Sequence, residues 1–362
     1  MDTKVGAENN SLAKKGGRIA YIDLLKVIAI FIVITLHNGT WHTDFMASGN
    51  FANYLQYAIR LVSEGVPLFM LINGFLLFPK SLNLKKHAIR TVNMVVIVLI
   101  WSVILEVAIS IMQGVPLTVQ GIVTEVLNTY IASKRTGILW FLQALVVVYI
   151  LYPVIKYIYD NNYKLFKYLL LVLIVSTYTV NFISFLSSTT GVEILNSVLF
   201  AVKQYSVNIG NNIYLIYFML GGYLYKEKDK INTKLAVAIA VISYGVALVV
   251  GILLSHKNGV TYASNYIYSQ FFLLFIVVAL FLVCSKIPLN NASINKGLAI
   301  VGDNTMGIYL LHRIIIVFFD RILHLTGGFA FRLTISAVTL VCGCVIAVII
   351  RKIPKINYII KL

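Results

Sequence analysis

One apolar run in this chain carries residue types suited to acid, base and anion chemistry. In "RIAYIDLLKVIAIFIVITLH" (18–37), Asp23 and Lys26 stand near the start and His37 at the far end. A helix there puts Asp23 and Lys26 on one face, three residues apart. It also brings Lys26 and His37 within roughly 20° of each other, about 16 Å apart along the axis. An ammonium can hold a phosphate as a point charge, and an imidazole titrates near neutrality, where a general base works best. A second run contributes Arg60 and Glu64, four apart, then Pro67, Asn73 and Gly74. A late one contributes His312 and Arg313. Lys26, Arg60 and Arg313 all fall inside apolar segments, where an ionised group costs about 3 kcal/mol or more and calls for a partner or a role.

Structural explanations stand beside each of these. Asp23 and Lys26 can neutralise one another at a headgroup boundary while the lysine stem reaches outward. Arg60 and Glu64 can be an ion pair that serves the fold alone. A histidine at a helix end is commonly interfacial. Glu106 has no evident partner in the sequence, and Trp41 and Trp101 are expected to anchor at the membrane interface.

The elements that must position these groups follow from composition. Hydrophobic residues make up 59% of the 362 and charged residues 12%, against about 25% charged in ordinary soluble domains. Mean hydropathy is +0.88. The expected class is an all-α polytopic membrane protein. Runs of about 20 apolar residues cross the hydrocarbon layer, and ten are expected: 20–41, 53–78, 88–112, 138–158, 167–186, 209–225, 233–254, 267–284, 299–320 and 329–350. Residues 1–17 read as a disordered cytoplasmic tail, 18–350 as the membrane domain and 351–362 as a short basic cytoplasmic tail. The outer loops 113–137 and 187–208 are long enough for short interfacial helices.

Charge supports that count. With the amino terminus inside, the inner segments hold 21 Lys and Arg and the outer loops six, the asymmetry of the positive-inside rule. The net charge of +17 is thereby explained without nucleic acid as a partner. Cys284, Cys342 and Cys344 lie in apolar segments and read as packing residues, with neither a disulfide framework nor a metal site.

Four segments, in order, resemble landmarks of the acyltransferase-3 family of bacterial membrane proteins, which move acyl groups onto cell-surface sugars. They are "YIDLLKVIAIFIVITLH", "VPLFMLINGFLL" (66–77), "ILWFLQALVVVYILYP" (138–153) and "NTMGIYLLH" (304–312). The family's arginine, ten residues between it and a histidine, corresponds here to Lys26 before His37, and Asn73 stands where serine is usual. Lysine keeps the charge but loses the bidentate fork.

The resemblance implies a multi-pass protein of the bacterial cytoplasmic membrane using acyl-CoA, with acetyl-CoA expected, as cosubstrate and no permanently bound cofactor. Arg18, Asp23 and Lys26 would serve the donor at the cytoplasmic end. His37 would be the general base on an acceptor hydroxyl, with Glu64 as its partner. Arg60, Asn73, Trp140 and His312 would support the acceptor, a surface glycan or lipid-linked sugar in contact with membrane lipids. A transporter or exporter of a saccharide, amino acid or lipid-linked intermediate is the competing reading, since the same buried polar groups would line a path. A membrane scaffold is third. Labelled acetyl-CoA separates them.

Overall fold

The computed structural model describes residues 18–39, 45–48, 50–128, 137–207, 212–259, 261 and 270–360. The tail over 1–17, Trp41 and the last two residues lie outside the described residues. Every regular element among the described residues is helical. In chain order the α-helices of ten residues or more are α1 (Ala20–His37), α2 (Phe51–Val62), α3 (Gly65–Leu77), α4 (Leu84–Gln113) and α5 (Val119–Asn128). Then come α6 (Trp140–Asn161), α7 (Tyr163–Thr190), α8 (Glu193–Gln204), α9 (Asn212–Glu227) and α10 (Thr233–Asn258). The last three are α11 (Phe271–Cys284), α12 (Ala292–Val317) and α13 (Phe329–Lys352).

Each expected span has a helical counterpart, and the chain is an all-α polytopic membrane protein. Among the described residues, seven segments are long and apolar enough to cross a bilayer, with α2 and α3 counted as one. Of the remaining spans, α9 and α11 are shorter, at 16 and 14 residues. The last, α12, carries Asp303, Asn304, His312 and Arg313 along its length. Short helices α5 and α8 lie within 113–137 and 187–208, where short helices are expected.

The ends of several spans are set by local chemistry. Side-chain oxygens of Asn83, Asn162, Asn232 and Asn291 accept from the first free backbone N–H groups of α4, α7, α10 and α12, satisfying donors that a helix start leaves orphaned. Helices α4 and α7 end on Gly114 and Gly191, both with φ near +70°, a backbone state that glycine adopts without steric penalty.

The second span departs from expectation. The sequence places a bend at Pro67 within a helix over 53–78, but the helix is interrupted at Ser63 and Glu64. Proline has no N–H for the carbonyl four residues back, which is that of Ser63, so α2 stops there. Helix α3 restarts with Pro67 in its first turn, where no such donor is needed. Glu64 is left in extended backbone, φ −122° and ψ 101°.

The described chain divides into two compact units. One comprises Ile19–Trp41, Leu82–Pro153 and Leu289–Leu362. In it α12 packs on α1 and α13. A Cβ on Gly307 would sit 2.6 Å from that of Ala347, and one on Gly343 would sit 3.4 Å from the side chain of Ile308. Arg351 donates to the Asp303 carbonyl at 2.7 Å. These contacts run α13 antiparallel to α12, with small residues admitting close backbones. Trp101 is buried in this unit and donates to the Ile359 carbonyl at 2.7 Å, so it is a core residue and not the interface anchor expected of it. Its acceptor belongs to a turn over Asn357–Ile360, beyond α13.

The other unit comprises His42–Ser81 and Val154–Pro288, with Met1–Arg18. Its centre is the crossing of α3 and α9. A Cβ on Gly74 would overlap the Phe218 carbonyl, and one on Gly221 would overlap the backbone of Leu71 and Phe75. The two helices therefore touch backbone to backbone. Tyr244 of α10 donates to the Ala58 carbonyl at 2.8 Å, holding α2.

Candidate active site

The first unit gathers two histidines. Helix α1 ends at His37, and its Nδ1 lies 2.8 Å from the Val33 carbonyl. A carbonyl only accepts, so Nδ1 carries the proton and Nε2 is the basic nitrogen. His312 of α12 is fully buried, and its Nδ1 meets the Tyr309 carbonyl in the same way. The His312 Nε2 is buried with no hydrogen-bond partner among the described residues. The two rings stand edge to face with centroids 5.0 Å apart. Two imidazoles thus present basic nitrogens within one small volume, from helices far apart in sequence.

Helices α1 and α12 run parallel. At their other end a Cβ on Gly302 would lie 2.5 Å from Asp23 Oδ1, while His37 meets His312 ten residues further along α12. Parallel packing is what two odd-numbered spans require, since both enter from the same side. Asp23 is buried and its Oδ1 lies 3.7 Å from the half-buried Lys26 Nζ. Ile30, Val33 and Ile34 fill the stretch between Lys26 and His37 and are buried. Arg18 is exposed immediately ahead of α1.

The end of α1 beyond His37 is pinned to α13. Asn38 Nδ2 donates to the Arg332 carbonyl at 2.8 Å and to Ser336 Oγ at 3.0 Å. Arg332 returns a bond from Nη1 to the Asn38 carbonyl at 2.9 Å. These bonds fix the backbone immediately beyond His37. Arg332 lies in the first turn of α13.

Trp140 begins α6, half-buried, and its neighbours reach the same region. The Tyr309 hydroxyl donates to the Ile138 carbonyl, and the Phe141 ring lies 5.3 Å from that of Tyr309. Tyr309 in turn lies 5.7 Å from the His312 ring. The segments 138–153 and 304–312, separate in sequence, therefore meet beside the imidazoles.

Glu106 has a partner after all. It is buried on α4, and Ser110, four residues on, donates to its Oε1 at 3.0 Å. The i,i+4 spacing of acid and hydroxyl is the signal that could have found it. Its depth follows from two neighbouring contacts. Trp101 bonds Ile359, and the Ile360 side chain lies 3.5 Å from where a Cβ on Gly307 would be. Glu106 and His312 are each five residues, about 7.5 Å by helical rise, past those levels.

Arg60, Glu64 and Asn73 belong to the second unit. Arg60 Nη1 donates to Glu64 Oε1 at 2.6 Å, with the carboxylate buried and the guanidinium part exposed. Glu64 is the cap residue of α3, so its charge sits at the positive end of that helix's dipole. Asn73 donates to the Phe69 carbonyl one turn back, at 2.9 Å.

No curated protein and no solved structure matches the chain. A family model described as an acyltransferase domain matches residues 19–350. That span includes both histidines, the Asp23–Lys26 pair, the interrupted second span and Trp140, and the protein is accordingly a membrane acyltransferase that belongs to the acyltransferase-3 family.

Proposed function

We propose that the protein, in a bacterial cytoplasmic membrane, transfers an acyl group, acetyl in the first instance, from cytoplasmic acyl-CoA to a hydroxyl of a surface glycan or glycan precursor. The observation that carries this reading is the His37–His312 pair, 5.0 Å between rings, at one end of two parallel helices whose other end holds Asp23 beside Gly302. His37 Nε2 accepts the acceptor's hydroxyl proton while that oxygen attacks the thioester carbonyl. The carbon–sulfur bond breaks, the ester forms, and the imidazolium returns the proton to the CoA thiolate. General-base help of this kind contributes typically 10²–10⁴-fold. His312, fully buried, packs its ring edge to face against His37 and helps hold that imidazole in place. Lys26 holds an anionic part of the CoA from the opposite end of α1, with Asp23 setting its position.

Glu64 is held by Arg60 within its own unit. Arg18 would add a second cation for the donor, and Trp140 would shape the acceptor side. The purified protein in lipid vesicles with labelled acetyl-CoA tests the reading. Label appearing in alkali-labile ester on cell-surface glycan supports it, and no turnover of the thioester under any acceptor condition contradicts it.

One observation favours the transport reading: the second span is interrupted at a buried carboxylate, and discontinuous helices are how many transporters build their sites. Vesicle uptake of a saccharide without thioester consumption would select that alternative.

A further inference from the structure

One end of the second unit holds a cluster of lysines and tyrosines that the acyl-transfer chemistry does not use. The end of α6, the start of α7 and the end of α9 meet there. Tyr159 is buried, and its hydroxyl donates to the Gly222 carbonyl at 3.2 Å. Its ring lies 4.7 Å from that of Phe78 and 4.9 Å from that of Phe166. Tyr163 stands edge to face with Tyr159 at 5.5 Å and stacks on Phe166 at 5.7 Å. Lys226 is laid over both tyrosine rings, its Nζ 4.0 Å from the Tyr159 centroid and 4.1 Å from that of Tyr163. Lys167 Nζ lies 5.5 Å from the Tyr163 centroid. All three distances fall within about 6 Å, where an aromatic face attracts a cation.

The charges around these rings do not cancel. Lys156 is buried and donates to both carboxylate oxygens of Asp160. Lys228 pairs with Asp229 at 2.8 Å, and Lys230 with Glu227 at 2.9 Å. Lys167 and Lys226 are exposed, and among the described residues neither forms an ion pair. Fixing a lysine side chain costs rotamer entropy, so a merely solvated ammonium stays loose, whereas aromatic faces hold these two. Along α7 from Lys167, Leu171 and Val175 follow at four-residue steps on one face. Both are exposed. Uncompensated positive charge therefore sits at the head of an apolar stripe.

We propose that this cluster is a binding site for an anionic phospholipid, its headgroup on Lys167 and Lys226 and an acyl chain along Leu171 and Val175. An ammonium holds a phosphate as a point charge with three donors. These two are already positioned by the tyrosines, which lowers the ordering cost of binding. A free phosphate would use the lysines alone, whereas a phospholipid uses the stripe as well. Basic pockets between spanning helices take phospholipid headgroups in this way, and the loop-charge asymmetry assigns this end to the leaflet richer in anionic lipid. The cluster lies wholly within the second unit. It does not depend on the acyl-transfer reading.

The test uses full-length protein in mild detergent, offered equal amounts of phosphatidylglycerol and phosphatidylcholine with the same acyl chains. Native mass spectrometry counts the lipid each molecule retains. Two uncompensated ammoniums predict a preference of about 30-fold for phosphatidylglycerol. Lys167→Gln with Lys226→Gln brings the two lipids close to parity, and Lys167→Arg with Lys226→Arg keeps the preference. Tyr163→Leu leaves both charges but removes the face that holds them, and lowers it. Lys203→Gln with Lys257→Gln takes the same charge from exposed positions elsewhere in the unit and leaves the preference intact. No preference in the unsubstituted protein overturns the inference. So does a preference that survives in a folded Lys167→Gln, Lys226→Gln protein, or one lost equally in the Lys203 and Lys257 control. Displacement of bound phosphatidylglycerol by water-soluble glycerol phosphate at matched concentration overturns the lipid half and leaves a phosphate site.

Discussion

Asp23 and Gly302 touch: the carboxylate of α1 occupies the space where any other residue of α12 would carry its Cβ, 2.5 Å from Oδ1. The glycine is therefore part of how Lys26 is held, since Asp23 Oδ1 lies 3.7 Å from Lys26 Nζ. Gly302→Ala displaces the carboxylate and releases the ammonium. The expected result is a raised apparent KM for acyl-CoA with kcat little changed, measured in vesicles. Lys26→Ala should raise it further and Lys26→Arg should not. A changed acceptor KM with an unchanged donor KM would remove Lys26 from the donor site.

The crossing of α3 and α9 is a direct test of the second unit. A methyl group at Gly221 has nowhere to go but into the Leu71 and Phe75 backbone. Overpacking costs typically about 1–3 kcal/mol, and backbone atoms cannot rotate aside as side chains do. Gly221→Ala should lower the melting temperature in detergent by several degrees, whereas Gly245→Ala, where a Cβ meets nothing, should leave it unchanged.

Arg60 neutralises a carboxylate that is 4% exposed. Removing one partner of a buried pair costs about 3–5 kcal/mol, and the part-exposed guanidinium puts this case near the lower value. Arg60→Leu should lose most folded protein by fluorescence-detected gel filtration. Arg60→Leu with Glu64→Gln should recover it. Failure of the double variant to recover would mean that Arg60 supports the fold through something other than Glu64.

Much of the architecture was legible before any coordinates. Ten apolar runs and a one-sided charge distribution gave the helices in order, because lipid permits few other spanning structures. The Lys26-to-His37 stripe was also legible, being a consequence of helical pitch alone. Span edges were not, since hydropathy averages over them, although the capping residues Asn83 and Gly114 were there to be read. The break at Ser63 lay one turn ahead of the proline that causes it, so a reading centred on Pro67 misplaced it. The meeting of His37 with His312 was beyond reach, because depth on a helix says nothing about which helices pack together. The partner of Glu106 is a neutral hydroxyl, Ser110, which charge pairing does not single out, and a tryptophan in a spanning helix has the same sequence signature whether it faces the interface or the core, as Trp101 does.

The turn over Asn357–Ile360 accepts a hydrogen bond from the Trp101 indole. Trp101→Phe keeps the ring volume close and deletes the donor to the Ile359 carbonyl. A buried acceptor left unpaired costs about 1–3 kcal/mol. The carboxy-terminal segment should then become sensitive to carboxypeptidase while the rest of the chain stays folded. Resistance equal to the unsubstituted protein would show that apolar packing of Ile360 is sufficient.

The central claim is that His37 is the base, and His37→Gln tests it most directly. Glutamine keeps a polar side chain of similar reach but takes up no proton near neutral pH, so expression and folding should be retained. Acyl transfer from labelled acetyl-CoA to the surface glycan should fall by 10²–10⁴-fold, with the KM for acyl-CoA unchanged. His312→Gln should cost less, since it leaves that base in place. Near-normal transfer by a well-folded His37→Gln protein would contradict the account, and a larger loss in His312→Gln would move the base to α12.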